Sequence, residues 1–226
     1  MDTPVEQLVK GMEELSAMFS QRMEEFERNL VPSSASAPTN PTIKSLSAEF
    51  YTFKSLVWKS LGLLKAQIEI VANGLDRIES QCRRKVLLLH GVKEDQGEEV
   101  MKKTLAVLTG QLKMSDAAPE VIDCCHRLGV KRDAPRPILI RFTSVHFRSR
   151  VWKAKTALKG SKITVTEFLT KSRQAVFVEA RKYFGIKKCW SVDGEIVILL
   201  PNNTRKKITS SSELKQLFAQ HPKCHN

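Results

Sequence analysis

The stretch HRLGVKRDAPRPILIRF, His126 to Phe142, carries five cations: Arg127, Lys131, Arg132, Arg136 and Arg141. One acid, Asp133, stands among them, and Gly129, Pro135 and Pro137 hold the connection open rather than helical. Such a density repels itself unless water surrounds it or phosphates match it. Arg148, Arg150, Lys153, Lys155 and Lys159 follow, and only Glu167 interrupts the series before Lys171 and Arg173. For any single lysine a solubilising surface explains the charge. For the set, which tracks one part of a compact fold, the expectation is contact with a phosphate backbone.

Other residue clusters offer less. Glu94, Asp95, Glu98 and Glu99 could hold a divalent cation, but acids at a predicted helix start are explained by the helix dipole. Cys124, Cys125 and His126 are consecutive, so strand alternation sends neighbours to opposite faces. His221, Cys224 and His225 lack a paired CxxC partner, and no metal site is expected. No Walker loop, GxGxxG or GxSxG is present, so neither catalysis nor a cofactor is expected. Trp190, beside a predicted hairpin turn, can stack on a base or fill the core of a small domain.

The 226 residues carry a formal net charge of +13, unevenly spread. Residues 1–30 hold three basic and seven acidic side chains, whereas residues 82–226 hold 29 and 13. The positive end is a candidate polyanion binder, and nucleic acid and anionic membrane both meet that demand. No run approaches the ~20 apolar residues of a membrane span. The basic helices turn their apolar faces to a predicted core, so no membrane partner is expected. The first residues lack a basic and then apolar leader, so no secretory signal is expected. Five cysteines without a framework spacing fit a reducing compartment, cytosol or nucleus.

Several elements must position these charges. Residues 1–30 step apolar groups by three and four through Val5, Leu8, Met12, Leu15, Phe19 and Phe26, a short amphipathic helix. Residues 31–42, rich in Pro and Ser, form a flexible linker. Residues 43–82 are a coiled coil with a seam of Phe50, Phe53, Val57, Leu61, Leu64, Ile68, Val71, Leu75 and Ile78. The step of four after four at Val57–Leu61 is a stutter. One apolar stripe on a lone rod of ~60 Å is marginal, so self-association is expected, as dimer or trimer. Folding back of the helix onto its own domain is the alternative.

Residues 83–168 read as β-α-β-β-α-β: strands at Val86–Leu89, Val121–Gly129, Pro137–Phe142 and KITVTEF, with helices after Glu98 and Ser144. That order is the ferredoxin-like pattern. Phe142 falls on its core side and KVLLLHG has no aromatic, so sequence-specific stacking on this sheet is not expected. Residues 169–220 form a small α/β domain: a helix capped by Thr170, a hairpin turning at Asp193-Gly194, a short strand, and a helix with the capping box Ser210/Glu213. Residues 221–226 are a tail. The fold class expected is α+β.

The order of coiled coil, RRKVLLLHGV, HRLG, RPILIRF with RSRVWKAK, VTEFLTKSR and CWSVDGEI resembles the first-open-reading-frame proteins of LINE-type retrotransposons (transposase-22-like). The C-terminal part is similar to the baculovirus few-polyhedra (FP) protein C-terminal domain and its insect relatives. The resemblance covers roughly residues 43–218. It implies a self-associating coil, a noncanonical RRM and a small C-terminal domain that jointly bind single-stranded RNA or DNA. It also implies RNA packaging into a cytoplasmic ribonucleoprotein, with the nucleus open, and strand chaperoning. By motif it carries nucleic-acid contact to Arg127, Arg136, Arg141, Arg148, Arg150, Lys153 and Arg181, with Trp190 as the stacking residue. The competing expectation is a coiled-coil interaction adaptor with no direct nucleic-acid role.

Overall fold

The computed structural model describes residues 4–30, 43–131 and 133–222. The linker expected at 31–42, Arg132, and residues 223–226 with Cys224 and His225 lie outside the described residues. The protein is mixed α+β, with long N-terminal helices and antiparallel sheets. It divides into two compact units between Leu75 and Asp76.

The first unit is helical. Helix α1 spans Pro4–Leu30, and α2 spans Ile43–Cys82. All nine expected seam residues of α2, from Phe50 to Ile78, are exposed, and Tyr51, Trp58, Leu63 and Ile70 widen the apolar surface. On α1 Phe19 is exposed, while the side chains of Val5, Leu8, Met12, Leu15 and Phe26 lie outside the described set.

The second unit begins within the last turns of α2. Strand β1 (Val86–His90) leads to α3 (Val100–Ala106), β2 (Ile122–Arg127), β3 (Ile138–Phe142), α4 (Val145–Ala154) and β4 (Thr164–Glu167). The four strands form one antiparallel sheet in the order β2-β3-β1-β4. Alternation puts Leu87, Leu89, Ile138, Ile140, Phe142 and Val165 on one face, where they bury against Leu108, Leu112, Phe147, Val151 and Leu158. Gly91 ends β1 at φ +81°, and a Cβ there would meet the Lys162 carbonyl oxygen at 2.0 Å. Two local features escape the apolar period. Helix α3 widens over Val107–Gln111, where Leu112 N donates to the Val107 carbonyl. A bulge between Ile122 and Cys124 shifts the β2 register.

The rest of this unit is α5 (Lys171–Phe184), β5 (Cys189–Val192), β6 (Glu195–Leu199), β7 (Arg205–Ile208) and α6 (Ser211–Gln220). The three strands form a second antiparallel sheet, β5-β6-β7. Thr170 caps α5 by accepting from Arg173 N. Asp193 and Gly194, at φ +53° and +80°, make the two-residue hairpin turn. The capping box of Ser210 and Glu213 starts α6. Ile196, Ile198, Ile208 and Cys189 bury against Val176, Ala180, Leu214 and Leu217.

Candidate nucleic-acid interface

Three arginines expected on the surface lie in the interior, and the expectation of phosphate contact is corrected for each. Arg127 is 4 % exposed at its side chain. Its Nε donates to Glu98 Oε1 at 2.6 Å and its Nη2 to Glu98 Oε2 at 3.0 Å. Its remaining protons go to the carbonyls of Val92, Lys93 and Arg136. Arg127 ends β2 on the core face, next to Ile138 in register, so its fork points inward. Arg148 is 5 % exposed; it pairs with Glu167 and, at 3.2 Å, with Asp193. It sits one residue past Phe147 on the buried side of α4. Arg173 is equally enclosed; its Nε lies 2.6 Å from Asp76 and its Nη1 donates to the Gly194 carbonyl. A guanidinium buried against carboxylates and carbonyls is not presented to a phosphate.

Charge pattern alone could not separate these from surface cations, because their acidic partners are 19 to 97 residues away in the chain. The Glu94–Glu99 cluster supplies the partners on the Arg127 side. Glu94 holds Arg136, at 2.6 Å from Oε1 to Nη2, and Glu98 holds Arg127 and Lys103. Glu99 is the N-cap of α3 and Glu98 precedes it, so the acids stand at the helix start as expected, and Glu94 and Glu98 also make these ion pairs. The Arg127 hydrogen bonds chiefly, opposed by burial and aided by Lys103, pull the Glu98 carboxyl down from the usual 4.5 to about 2. Arg136 likewise holds Glu94 below its ordinary value.

A second group is half committed. Arg141 lies on the sheet face away from the helices, exposed, with its Nε 3.0 Å from Asp123 Oδ2. Arg150 grips Asp116 at 2.5 and 2.9 Å on the surface. Lys155 is half-buried with its Nζ 3.0 Å from the Trp152 ring centroid, and burial lowers its ammonium's pKa. Arg181 lies over the Phe177 ring at 4.0 Å and donates to the Cys189 carbonyl. Exposed pairs of this kind are weak, so a phosphate can displace the carboxylates of Arg141 and Arg150.

The third group is open. Lys131, Lys153 and Lys171 are exposed and pair with no carboxylate among the described residues. Lys159, Lys187, Lys188 and Lys206 share that state.

Trp190 decides between its two readings by register. It pairs with Val197, which pairs with Lys207, while Ser191, Ile196 and Ile208 form the next row. Ile196, Ile198 and Ile208 face α5 and α6, so Trp190 lies on the opposite face of the sheet, half-buried. It is not a residue of the second core. Arg205 shares that face, its guanidinium carbon 5.8 Å from the Trp190 ring centroid. Lys207 completes the row and reaches Glu195 at 2.7 Å. Arg205 and Lys207 were missed from sequence: the i, i+2 spacing in RKKI puts them on one face, but only the strand register puts that face with Trp190.

No family model matches the chain, and no curated protein matches it.

Among the described residues no group of three or more His, Cys, Asp or Glu could hold a metal ion. Among them, too, no helix is long and apolar enough to cross a membrane.

Proposed function

We propose that the chain is a self-associating protein that binds single-stranded nucleic acid and catalyses no reaction. The observation that carries this reading is the half-buried Trp190 with Arg205 beside its ring, on the sheet face away from α5 and α6, where Val197 is buried between Trp190 and the exposed Lys207. An aromatic face next to guanidinium and ammonium groups suits an unpaired base with its phosphate, and base–aromatic stacking contributes ~1–3 kcal/mol. The open lysines Lys131, Lys153 and Lys171 and the weakly paired Arg141 and Arg150 add sequence-independent phosphate attraction. Arg136 and Arg181 act by shaping the surface these cations occupy.

The strand order β2-β3-β1-β4, with two helices packed on one face, supports a ferredoxin-like, noncanonical RRM reading of residues 83–168. The exposed seam of α2 supports self-association into a dimer or trimer, because a stripe of that length loses apolar surface to water unless another copy covers it. Several weak sites on one assembly then act together on one strand. The biological setting that fits is RNA packaging into a ribonucleoprotein with strand chaperoning, as in LINE-type retrotransposition or a domesticated derivative.

Sizing the purified chain alone and with a 20-nucleotide single strand, over a salt series, tests this. The account expects an oligomer that takes up the strand at low salt and releases it as salt rises. The adaptor alternative, which the α2 stripe also suits, expects an oligomer that ignores the strand at every salt concentration.

A further inference from the structure

The two apolar cores of the second unit share no residue. A polar cluster lies where they adjoin, centred on the hairpin turn Asp193-Gly194. The Gly194 amide donates to Glu167 at 3.3 Å, and its carbonyl accepts from Arg173 Nη1 at 2.9 Å. Arg148 holds Glu167 on one side and the Asp193 carboxylate on the other. Arg173 in turn is held by Asp76 in the last turns of α2, which also accepts from the hydroxyls of Thr170 and Ser172. In this socket Gly194 sits at φ +80°, where a side chain is strained, and a Cβ there would push Ser80 Oγ, at 2.8 Å, aside.

We propose that this socket is a latch: the Asp193-Gly194 turn docks the second sheet on the first lobe, and the dock is built to open. Three observations point to opening rather than to a permanent weld. The grip is made by charge, and buried ion pairs roughly balance their desolvation cost. Arg148 Nε is buried without a partner, so the closed state leaves a hydrogen bond unmade. Asp193, one jaw of the clasp, is 71 % exposed, so water competes for it. Lobes joined by polar contacts move relative to each other unless a large apolar interface stops them. Opening turns Arg148 and Arg173 from internal counterions into solvent-facing cations. The latch is independent of what the protein binds.

Hydrogen exchange on the full chain tests it, with Asp193→Asn, Asp76→Asn and Glu167→Gln. Asn keeps the left-handed turn conformation at position 193 and removes only the charge. The latch predicts amide exchange at Val192–Glu195 and in the first turn of α5 faster by about tenfold, with β1 and β3 amides unchanged. Unchanged exchange at the hairpin overturns it. So does an equal acceleration in both lobes, which marks these residues as global stabilisers. If Glu167→Gln fails to fold, the surface variant Asp193→Asn decides by the same two readings.

Discussion

Arg127 Nε lies 2.6 Å from Glu98 Oε1, and neither side chain is more than 8 % exposed. A residue that the charge pattern marks for phosphate contact is thereby a strut, tying the end of β2 to the loop after β1 and to the Arg136 carbonyl. Removing one partner of such a pair leaves a buried charge uncompensated. Arg127→Ala is expected to lower stability by about 3–5 kcal/mol in urea unfolding. Lys153→Ala, on the open surface, is expected to stay within about 0.5 kcal/mol. Equal small effects from both would remove Arg127 from the interior.

The same pair sets an acid limit. Glu98 titrates at about 2 in the folded protein against 4.5 ordinarily. A depressed folded value means that its contribution is complete above the unfolded value and disappears as pH falls through about 2. The stability gap between the wild type and Glu98→Gln is therefore expected to be constant from pH 7 to about pH 5, then to close between pH 4.5 and 2. Urea midpoints across that range check it; a gap that is flat throughout contradicts the assignment.

For binding, the two kinds of contact separate by their response to salt. Each phosphate-contacting cation removed lowers the salt slope by roughly one. Lys153→Ala and Lys171→Ala are expected to do so with little change in fold. Trp190→Ala is expected to weaken single-strand affinity by about 1–3 kcal/mol while leaving the slope intact. Fluorescence anisotropy with a single-stranded oligonucleotide reads both quantities.

Self-association rests on the stripe of α2. Leu61→Glu with Ile68→Glu puts two carboxylates into the exposed apolar seam. Sedimentation is expected to show the monomer, with circular dichroism of the folded lobes retained. An unchanged mass would leave the stripe without an oligomerisation role.

Much of the fold was legible in the sequence because its signals are local. Ser144, Thr170 and the Ser210/Glu213 box start helices, and Asp193-Gly194 turns a hairpin where turn chemistry requires. Strand pairing, ion-pair partners and sheet faces join residues far apart in the chain, and these decided the candidate site. Glu98 reaches across 29 residues to claim Arg127, and Asp76 reaches across 97 to claim Arg173. Trp190 has the same neighbours in sequence whether it faces the core or the solvent; only its pairing with Val197, beside the inward row of Ile196 and Ile208, chooses the outer face. The widened turn at Val107–Gln111 and the β2 bulge each alter the backbone by one residue without disturbing the apolar pattern that the sequence displays.

The most direct measurement is the affinity of the full chain for a 20-nucleotide single-stranded RNA between 50 and 300 mM salt, in the wild type and in Trp190→Ala/Arg205→Ala. The account predicts tight binding at the low end that falls steeply with salt, and weaker binding at every salt concentration in the double variant. Affinity that is absent at 50 mM, or that survives unchanged in the double variant, contradicts it.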